Sequence, residues 1–253
     1  MIKSQEVRFR DLGLMEYKAA WDYQEKLLQE NVEKKSEVKK QKPEVQLAGV
    51  ESNPALPATN HYLLFTEHPP VYTLGKSGNK NNVLLSDEEL SASHISFFQT
   101  NRGGDITFHG PGQIVGYPIL DLEKFYTDIG KYLRNIEEVI IQTLAEYGIK
   151  GERSAGETGV WLDPDLPGRE RKICAIGVRC SRWITMHGFA FNVNTDLSYF
   201  NNIIPCGIAN KQVTSLAKEL KREMDIEEVK MKVKSNFERI FEVKLVGQNS
   251  FSI

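Results

Sequence analysis

The stretch from 101 to 122, NRGGDITFHGPGQIVGYPILDL, constrains the fold more than any other part of the chain. About half of its residues are typical of buried β-strand, and glycine and proline interrupt them. The Gly110-Pro111-Gly112 triplet predicts a tight reversal. Strands are also predicted on both sides of this stretch, in YLLFTEHPPVYTLG, TGVWL, KICAIGVRC and TMHGFAFNVN. Strands therefore dominate the middle of the chain.

Helices are predicted near the start, in the centre and at the end of the chain. A first strand over residues 5–10 is followed by a helical pattern from about Leu14 to Val32. The clearest helix lies between Asp128, a predicted N-cap, and Gly148, a predicted C-terminal stop. The segment IEEVKMKVKSNFERIFEV is a further amphipathic helix. This order favours an α/β (α+β) fold with a central mixed β-sheet flanked by helices, in a single domain over 1–253.

Residues 33–60 break the helical pattern. They hold five lysines and three prolines and almost no apolar periodicity. We expect an exposed, lysine-rich insertion or flexible loop there. One interpretation is a passive spacer, and the other is a basic surface that steers an acidic partner protein.

Charge and hydropathy exclude several classes of function. The 32 basic and 34 acidic residues leave a formal net charge of -2, so nucleic acid is not an expected partner. No apolar run is long enough to cross a bilayer, and the amino terminus lacks the apolar region of a secretory signal. No membrane partner and a cytoplasmic location are therefore expected. The three cysteines are too few and too irregularly spaced for a disulfide framework or a metal site.

Cys206 is the first candidate for chemistry, in a chain that lacks the HExxH, GxSxG and dinucleotide-binding glycine motifs. Pro205 and Gly207 predict a bend around this thiol. A bend makes a thiol accessible and can present backbone N–H groups to a sulfur anion or a developing oxyanion. The alternative is a small buried hydrophobe, which is the usual role of a free cysteine.

Lys172 is the second candidate. In the strand KICAIGV, alternation places it on the same face as Cys174, Ile176 and Val178, an otherwise apolar set. A lysine there either lies at the strand end with its amine in solvent or takes part in proton transfer.

Several blocks of the sequence resemble, in order, the signature motifs of the lipoyl(octanoyl) transferase family. They are RGGDITFHGPGQIVGYPILDL, KICAIGVR, HGFAFNVNTDL and IIPCGI, and the segments EHPPVYTLG and EYKAAWDYQ are also similar to that family. The resemblance covers nearly the whole chain apart from residues 33–60 and the far carboxyl terminus. It implies a biotin/lipoyl protein ligase-like fold and an acyltransferase that needs no cofactor and no metal.

Such an enzyme takes an octanoyl group from the phosphopantetheine thiol of octanoyl-acyl carrier protein and places it on a lysine of a lipoyl domain. The implied acceptors are the lipoyl domains of 2-oxoacid dehydrogenase E2 subunits and the glycine cleavage H protein. By matching position, Cys206 is the implied nucleophile that becomes an acyl-thioester. Lys172 is the implied group that stabilises its thiolate and moves protons between thiol, leaving group and incoming amine.

The acyl-binding segments of the family match three stretches of this chain. Their glycines let the backbone approach the acyl chain, and Phe108, Ile176 and Phe189 are expected to line an apolar tunnel. His109 is expected to face the pocket beside Cys206 and to position the thioester. The matching residues are Arg102, Gly103, Gly104, Asp105, Ile106, Thr107, Phe108, His109, Ala175, Ile176, Gly177, Gly188, Phe189 and Ala190.

Two positions depart from the family pattern. Asp105 stands where many relatives carry an uncharged polar side chain, and Cys174 stands where a small residue is usual.

Three other functions stay open. An ATP-dependent lipoate ligase shares the fold but gains nothing from a thiol on a turn. A non-catalytic protein that holds acylated carriers needs neither Cys206 nor Lys172. A cysteine hydrolase must admit water where a transferase excludes it.

Overall fold

The chain folds around a mixed β-sheet that carries helices on both faces, with a smaller sheet beside it. The computed structural model describes residues 5–41, 59–204 and 212–247. Within them the strands are β1 (Gln5–Leu14), β2 (Tyr62–Glu67), β3 (Val71–Leu74), β4 (Ser96–Gln99), β5 (Ile106–His109), β6 (Gln113–Ile119), β7 (Val160–Leu162), β8 (Arg171–Ser181), β9 (Ile184–Asn192), β10 (Gln212–Val213) and β11 (Val243–Val246). The helices are α1 (Tyr17–Gln41), α2 (Asp87–Ala92), α3 (Ile129–Ala145), α4 (Leu216–Leu220) and α5 (Ile226–Phe241), with short 3₁₀ helices at Lys80–Asn82, Leu122–Lys124 and Leu197–Asn202.

Both sheets mix parallel and antiparallel pairs. The large sheet has the order β10, β8, β9, β6, β2, β1, β11, with β7 also paired to β8. β1 is parallel to β2 and β11, whereas β2, β6, β9 and β8 pair antiparallel in succession. The small sheet has the order β4, β3, β5. These pairings confirm the expected mixed sheet flanked by helices.

The predicted Gly-Pro-Gly reversal joins the two sheets. It connects β5 in the small sheet to β6 in the large one, and it is closed by a hydrogen bond from the Gln113 N–H to the Gly110 carbonyl at 3.3 Å. The reversal is therefore confirmed, and it links the two sheets directly along the chain.

Alternation along the strands sorts the apolar side chains of the large sheet into two cores. On β2, Leu63 and Phe65 pack in the core formed with α3 and α5, and Tyr62 and Leu64 pack in the core formed with α1. All four are buried. The sheet is thus covered on both faces and forms a close-packed support for the residues at its edge.

The predictions for the central and the last helix are confirmed. The Asp128 side chain caps α3 by accepting a hydrogen bond from the Lys131 N–H at 2.9 Å. Gly148 follows the helix with a φ of +74°, a conformation that favours glycine. Among the described residues, no helix combines the length and the apolar character that crossing a bilayer requires.

The first helix is longer than the sequence pattern predicted. α1 continues to Gln41, so the predicted end at Val32 was wrong. Lys35 was expected in an exposed insertion, but its side chain is only 9% exposed and its Nζ lies 2.8 Å from Asp121 Oδ1. Polar contacts therefore hold this part of the helix where apolar periodicity is lacking. Residues 42–58, the larger part of the expected insertion, lie outside the described residues.

Candidate active site

A cavity of about 640 Å³ lies where the large sheet, the small sheet and the start of α1 meet. Its wall includes Tyr17 of α1, the loop of residues 102–105 (the RGG loop), and parts of β6, β8 and β9. Lys172 and Val178 both line it and are six residues apart on β8, which corresponds to about 20 Å along an extended strand. The lining therefore extends along most of β8, and the cavity volume is in the ordinary range for small-molecule sites.

Most of the candidate residues named from the sequence line this cavity. Phe108 and Phe189 lie elsewhere: Phe108 stacks on Tyr199 with ring centroids 4.5 Å apart, and Phe189 packs in the core with α3 and α5. Of the three side chains expected to form an apolar tunnel, the structure places Ile176 in the wall. The candidates that line the cavity are Arg102, Gly103, Gly104, Asp105, Ile106, Thr107, His109, Lys172, Ala175, Ile176, Gly177, Gly188 and Ala190.

The expected nucleophile, Cys206, lies in residues 205–211, outside the described part of the chain. The residues on either side of that segment are described. The Ile204 N–H donates to the Asn82 carbonyl at 2.8 Å, and the Thr214 N–H donates to the Lys172 carbonyl at 2.9 Å. The chain that carries Cys206 therefore starts from a contact with Asn82 and returns beside Lys172.

Lys172 lies at one end of the cavity, near the start of β8. Its side chain is 15% exposed, and its Nζ lies 3.8 Å from Glu157 Oε2. The same amine lies 4.5 Å from the centroid of the Trp161 ring on the neighbouring strand β7. A carboxylate and an aromatic face both attract a cation. The amine is thus positioned at the cavity wall, where it can exchange a proton with a bound group.

The RGG loop covers the outer edge of β8. The Gly103 N–H donates to the Val178 carbonyl at 2.9 Å. A Cβ at Gly177 would lie 2.8 Å from the Gly103 oxygen, nearer than side chains approach backbone atoms. The buried Arg102 guanidinium donates to the Thr73 carbonyl at 2.6 Å and to the Thr73 hydroxyl at 3.0 Å. The loop is therefore tied to both sheets, and glycine at 177 is required for its closeness to β8.

A chain of hydrogen bonds runs along the wall through His109. Asn192 Nδ2 donates to the Thr214 carbonyl at 3.0 Å, so Asn192 Oδ1 accepts from Gln113 Nε2 at 2.8 Å. Gln113 Oε1 is then the acceptor for the His109 Nδ1–H at 2.8 Å. His109 Nε2 carries no proton and accepts from the Thr73 hydroxyl at 3.2 Å. Both ring nitrogens are thus bonded within the protein, which makes His109 a positioning group rather than a general base.

Burial keeps the ring groups at this wall neutral. It lowers the pKa of His109 well below its usual value, and it lowers the pKa of His187 to about 3, with the positive charge of Arg102 adding to the effect. His68 lies behind His109, and burial lowers its pKa to about 4. Burial also raises the pKa of Tyr17 to about 12. Neutral rings suit an apolar chain in the cavity, and the Arg102 guanidinium in the same wall is engaged by the Thr73 and Gly103 oxygens.

The two positions expected to depart from the family pattern lie in different surroundings. Asp105 lines the cavity. Cys174 is fully buried in the core with α3 and α5, and this burial raises the pKa of its thiol. Cys174 is therefore a packing residue. Among the residues that the structure describes, no group of three or more His, Cys, Asp or Glu side chains is placed to hold a metal ion.

Sequence reasoning missed several residues of this site. One signal was available for Gln113, which follows His109 by four residues across a Gly-Pro-Gly reversal. The others come from separate elements of the fold and carry no local motif. The missed residues that line or support the wall are Tyr17, Thr73, Gln113, Tyr117, Glu157 and Asn192.

Comparison with known sequences gives consistent matches along the chain. The family described as lipoyl protein ligase A/B catalytic domain matches residues 16–238. The octanoyltransferase of Christiangramia forsetii is 55% identical over 246 residues, which cover 97% of this chain and 100% of that protein. The octanoyltransferase of Cytophaga hutchinsonii is 48% identical over 239 residues, 94% of each chain.

Comparison with solved structures supports the same fold at low sequence identity. A lipoate-protein ligase A bound with ATP superimposes with a TM-score of 0.67 at 13% identity, covering 98% of this chain and 90% of that chain. A bipartite lipoate protein ligase from Thermoplasma acidophilum, studied with its E2 lipoyl domain, gives 0.62 at 15% identity and covers 98% and 88%. These likenesses confirm the expected ligase-like fold.

Proposed function

Since the chain belongs to the octanoyltransferase family, within the lipoyl protein ligase A/B catalytic domains, we propose that it moves an octanoyl group from octanoyl-acyl carrier protein to a lysine of lipoyl domains. The acceptors are the lipoyl domains of 2-oxoacid dehydrogenase E2 subunits and the glycine cleavage H protein. The acyl group passes through a thioester on Cys206. Residues 1–253 act as one catalytic domain, and the acyltransferase needs no cofactor.

The cavity with Lys172 in its wall is the observation that supports this proposal most directly. Its lining extends along β8 from Lys172 to Val178, a distance that exceeds the length of an extended eight-carbon chain. The lining also includes neutral rings, glycine backbone and the apolar side chains of Ile129 and Leu133, while the charged Arg102 and Asp105 are hydrogen-bonded within the protein. A thioester carbonyl near Lys172 with its alkyl chain along β8 fits this lining.

In the first step the Cys206 thiolate attacks the carbonyl carbon of the donor thioester. A bond forms between this carbon and the Cys206 sulfur, and the bond to the pantetheine sulfur breaks. Lys172 takes the proton of the Cys206 thiol and gives it to the departing pantetheine thiolate. One thioester replaces another, so this exchange is nearly balanced in free energy.

In the second step the acceptor lysine attacks the acyl-enzyme as a neutral amine. A carbon–nitrogen bond forms, the carbon–sulfur bond to Cys206 breaks, and Lys172 carries a proton from the attacking nitrogen to the Cys206 sulfur. An amide is more stable than a thioester, so this step drives the cycle. Exclusion of water from the cavity protects the acyl-enzyme from hydrolysis until the lysine arrives.

Intact mass spectrometry tests the thioester route. The protein is incubated with octanoyl-acyl carrier protein, without ATP or acceptor, beside a Cys206→Ser variant. We expect the parent to gain the mass of one octanoyl group, which hydroxylamine removes, and the variant to show no labile adduct. If the parent shows no adduct, and a lipoyl domain is modified only with ATP and free octanoate, the chain is a ligase and the role of Cys206 is wrong.

A further inference from the structure

The Asp105 carboxylate is bonded at both oxygens inside the protein. Asp105 Oδ2 accepts a hydrogen bond from Asn82 Nδ2 at 2.8 Å, and Oδ1 accepts from the Ile106 N–H at 2.7 Å. Hydrogen bonds to an ionised acceptor are stronger than those between neutral groups. Although Asp105 lines the cavity, its lone pairs are directed to its own chain rather than to a bound acyl group.

Asn82 connects Asp105 to the chain that leads to Cys206. The Asn82 carbonyl accepts from the Ile204 N–H at 2.8 Å. The next residue, Val83, forms an antiparallel bridge with Ile203. Asn82 therefore bonds the RGG loop through its side chain and the segment that ends at Ile204 through its backbone.

The turn that presents Asn82 is itself fixed. Asn79 caps the short 3₁₀ helix Lys80–Asn82 by accepting from the Asn81 N–H at 3.0 Å. The Asn82 N–H donates to the Asn79 carbonyl at 2.9 Å. The turn therefore holds the backbone of Asn82 in place, and Asn82 links the RGG loop to Ile204.

We propose that Asp105 and Asn82 are positioning residues that align the acyl-binding RGG loop with the nucleophile. Ile204 precedes Cys206 by two residues, so the pair sets the point from which the nucleophile's segment starts. The inference rests on the proposed function, because it needs Cys206 to be the attacking group. It also gives a role to a carboxyl group whose two oxygens are both bonded inside the protein.

Exchanging the two side chains tests this pair. In Asp105→Leu, the Ile106 N–H and the Asn82 amide both lose their acceptor. In Asn82→Asp, two carboxylates face each other. In the double variant, Asp105→Asn with Asn82→Asp, the amide at position 105 accepts from the Ile106 N–H and donates to the carboxylate at position 82. Asp87→Asn is the matched control, because Asp87 is exposed and lies 3.8 Å from Lys80 in the same region.

Three measurements distinguish a loss of alignment between the RGG loop and Cys206 from a general loss of structure. The first is the rate of acyl-enzyme formation with saturating octanoyl-pantetheine. The second is the rate at which iodoacetamide, a small reagent that needs no aligned acyl group, alkylates the peptide that contains Cys206. The third is the melting temperature. We expect each single variant to slow acyl-enzyme formation by about tenfold or more, with alkylation and melting as in the parent, and the double variant to recover most of the rate.

Three results would overturn the inference. They are single variants that acylate as fast as the parent, a parallel change in alkylation or melting, and a double variant no faster than the single ones. A parent that forms no labile adduct at all would refute the proposed function instead. A parent that forms the adduct and an Asp105→Leu variant that forms it equally fast would refute this inference alone.

Discussion

His109 shows at the scale of one residue what the sequence could and could not predict. His109 lines the cavity, and its expected place beside Cys206 and the thioester stays a prediction. Its ring, however, is bonded to Gln113 on one side and to Thr73 on the other. Thr73 belongs to a different strand, and no local pattern indicates such a partner. The tautomer follows from a hydrogen-bond chain that exists only in the folded protein.

We expect His109→Phe to lower the free energy of unfolding by about 1–3 kcal/mol. The phenyl ring keeps the stacking on Tyr17 but leaves Gln113 Oε1 buried without its donor. Urea unfolding measures the change. Thr73→Val is the partner for a double-mutant cycle, and the double variant should lose less than the sum of the two single losses. Strict additivity would show that the hydroxyl and the imidazole are not coupled.

A second prediction at the scale of one residue concerns Gly177. In Gly177→Ala the new methyl carbon would lie 2.8 Å from the Gly103 carbonyl oxygen. No side-chain rotation can separate these two atoms, so the RGG loop must move away from β8. We expect acyl-enzyme formation to slow by about tenfold or more. Gly130→Ala in α3 is the control, and it should acylate at the parent's rate. Equal rates for the parent and Gly177→Ala would show that the loop's distance from β8 does not matter.

Helix α1 shows the limit of periodicity at the scale of an element. The central helix was predictable because its apolar periodicity and its N-cap residue are both features of local sequence, and the structure contains both. The last turns of α1 are polar, and contacts with distant segments hold them. Lys35 reaches Asp121, 86 residues away, and the Arg182 carbonyl, 147 residues away. A lysine-rich sequence without periodicity is compatible with a loop or with such a helix, and tertiary contacts decide between them.

We expect Lys35→Met to destabilise the protein by about 3 kcal/mol. The variant leaves the Asp121 carboxylate, whose side chain is 1% exposed, without its cation. Chemical denaturation measures the loss, and combining the variant with Asp121→Asn should restore part of it. Lys18→Met removes the exposed pair with Asp22 and should leave the free energy of unfolding nearly unchanged. Equal effects of the two lysine variants would contradict a buried ion pair at Lys35.

Buried neutral histidines affect the molecule as a whole. Burial is the main cause that lowers the pKa of four of the five histidines. The pKa falls to about 4 for His61 and His68 and to about 3 for His187. For His109 it falls well below the usual value. The unfolded chain therefore binds more protons than the folded one below about pH 6.5. Stability from these groups is complete above that pH and is lost as pH falls toward 4.

We expect the free energy of unfolding to fall steeply between pH 6.5 and 5. Each of these histidines contributes a slope that approaches about 1.4 kcal/mol per pH unit. Urea titrations at several pH values measure the total slope. His61→Asn should reduce it by about that amount, whereas His94→Asn, at an exposed histidine, should leave it unchanged. A flat profile over this range would contradict neutral burial.

The architecture of the whole molecule was more predictable than its site chemistry. The order of strands and helices and the reversal at Gly110 were predictable because their signals lie in local sequence. Lys172 and the RGG loop line one cavity, whereas their shared role at an acyl site, which the family resemblance implied, stays a prediction. Side chains that support this site through hydrogen bonds, such as Asn82 and Asn192, lie in sequence that matches no local motif. Their roles depend on contacts between segments that are distant in the sequence. Such contacts leave no local pattern from which they could be predicted.

The RGG loop has a consequence for how the molecule behaves among its own copies. In the described part of the chain, β8 pairs with β7 and β10 only over its first residues, and beyond Cys174 its outer side meets the Gly103 N–H instead of a strand. An uncovered strand edge recruits other chains and leads to aggregation. The RGG loop thus covers part of this strand edge, so sequence changes that loosen it should reduce the solubility of the protein.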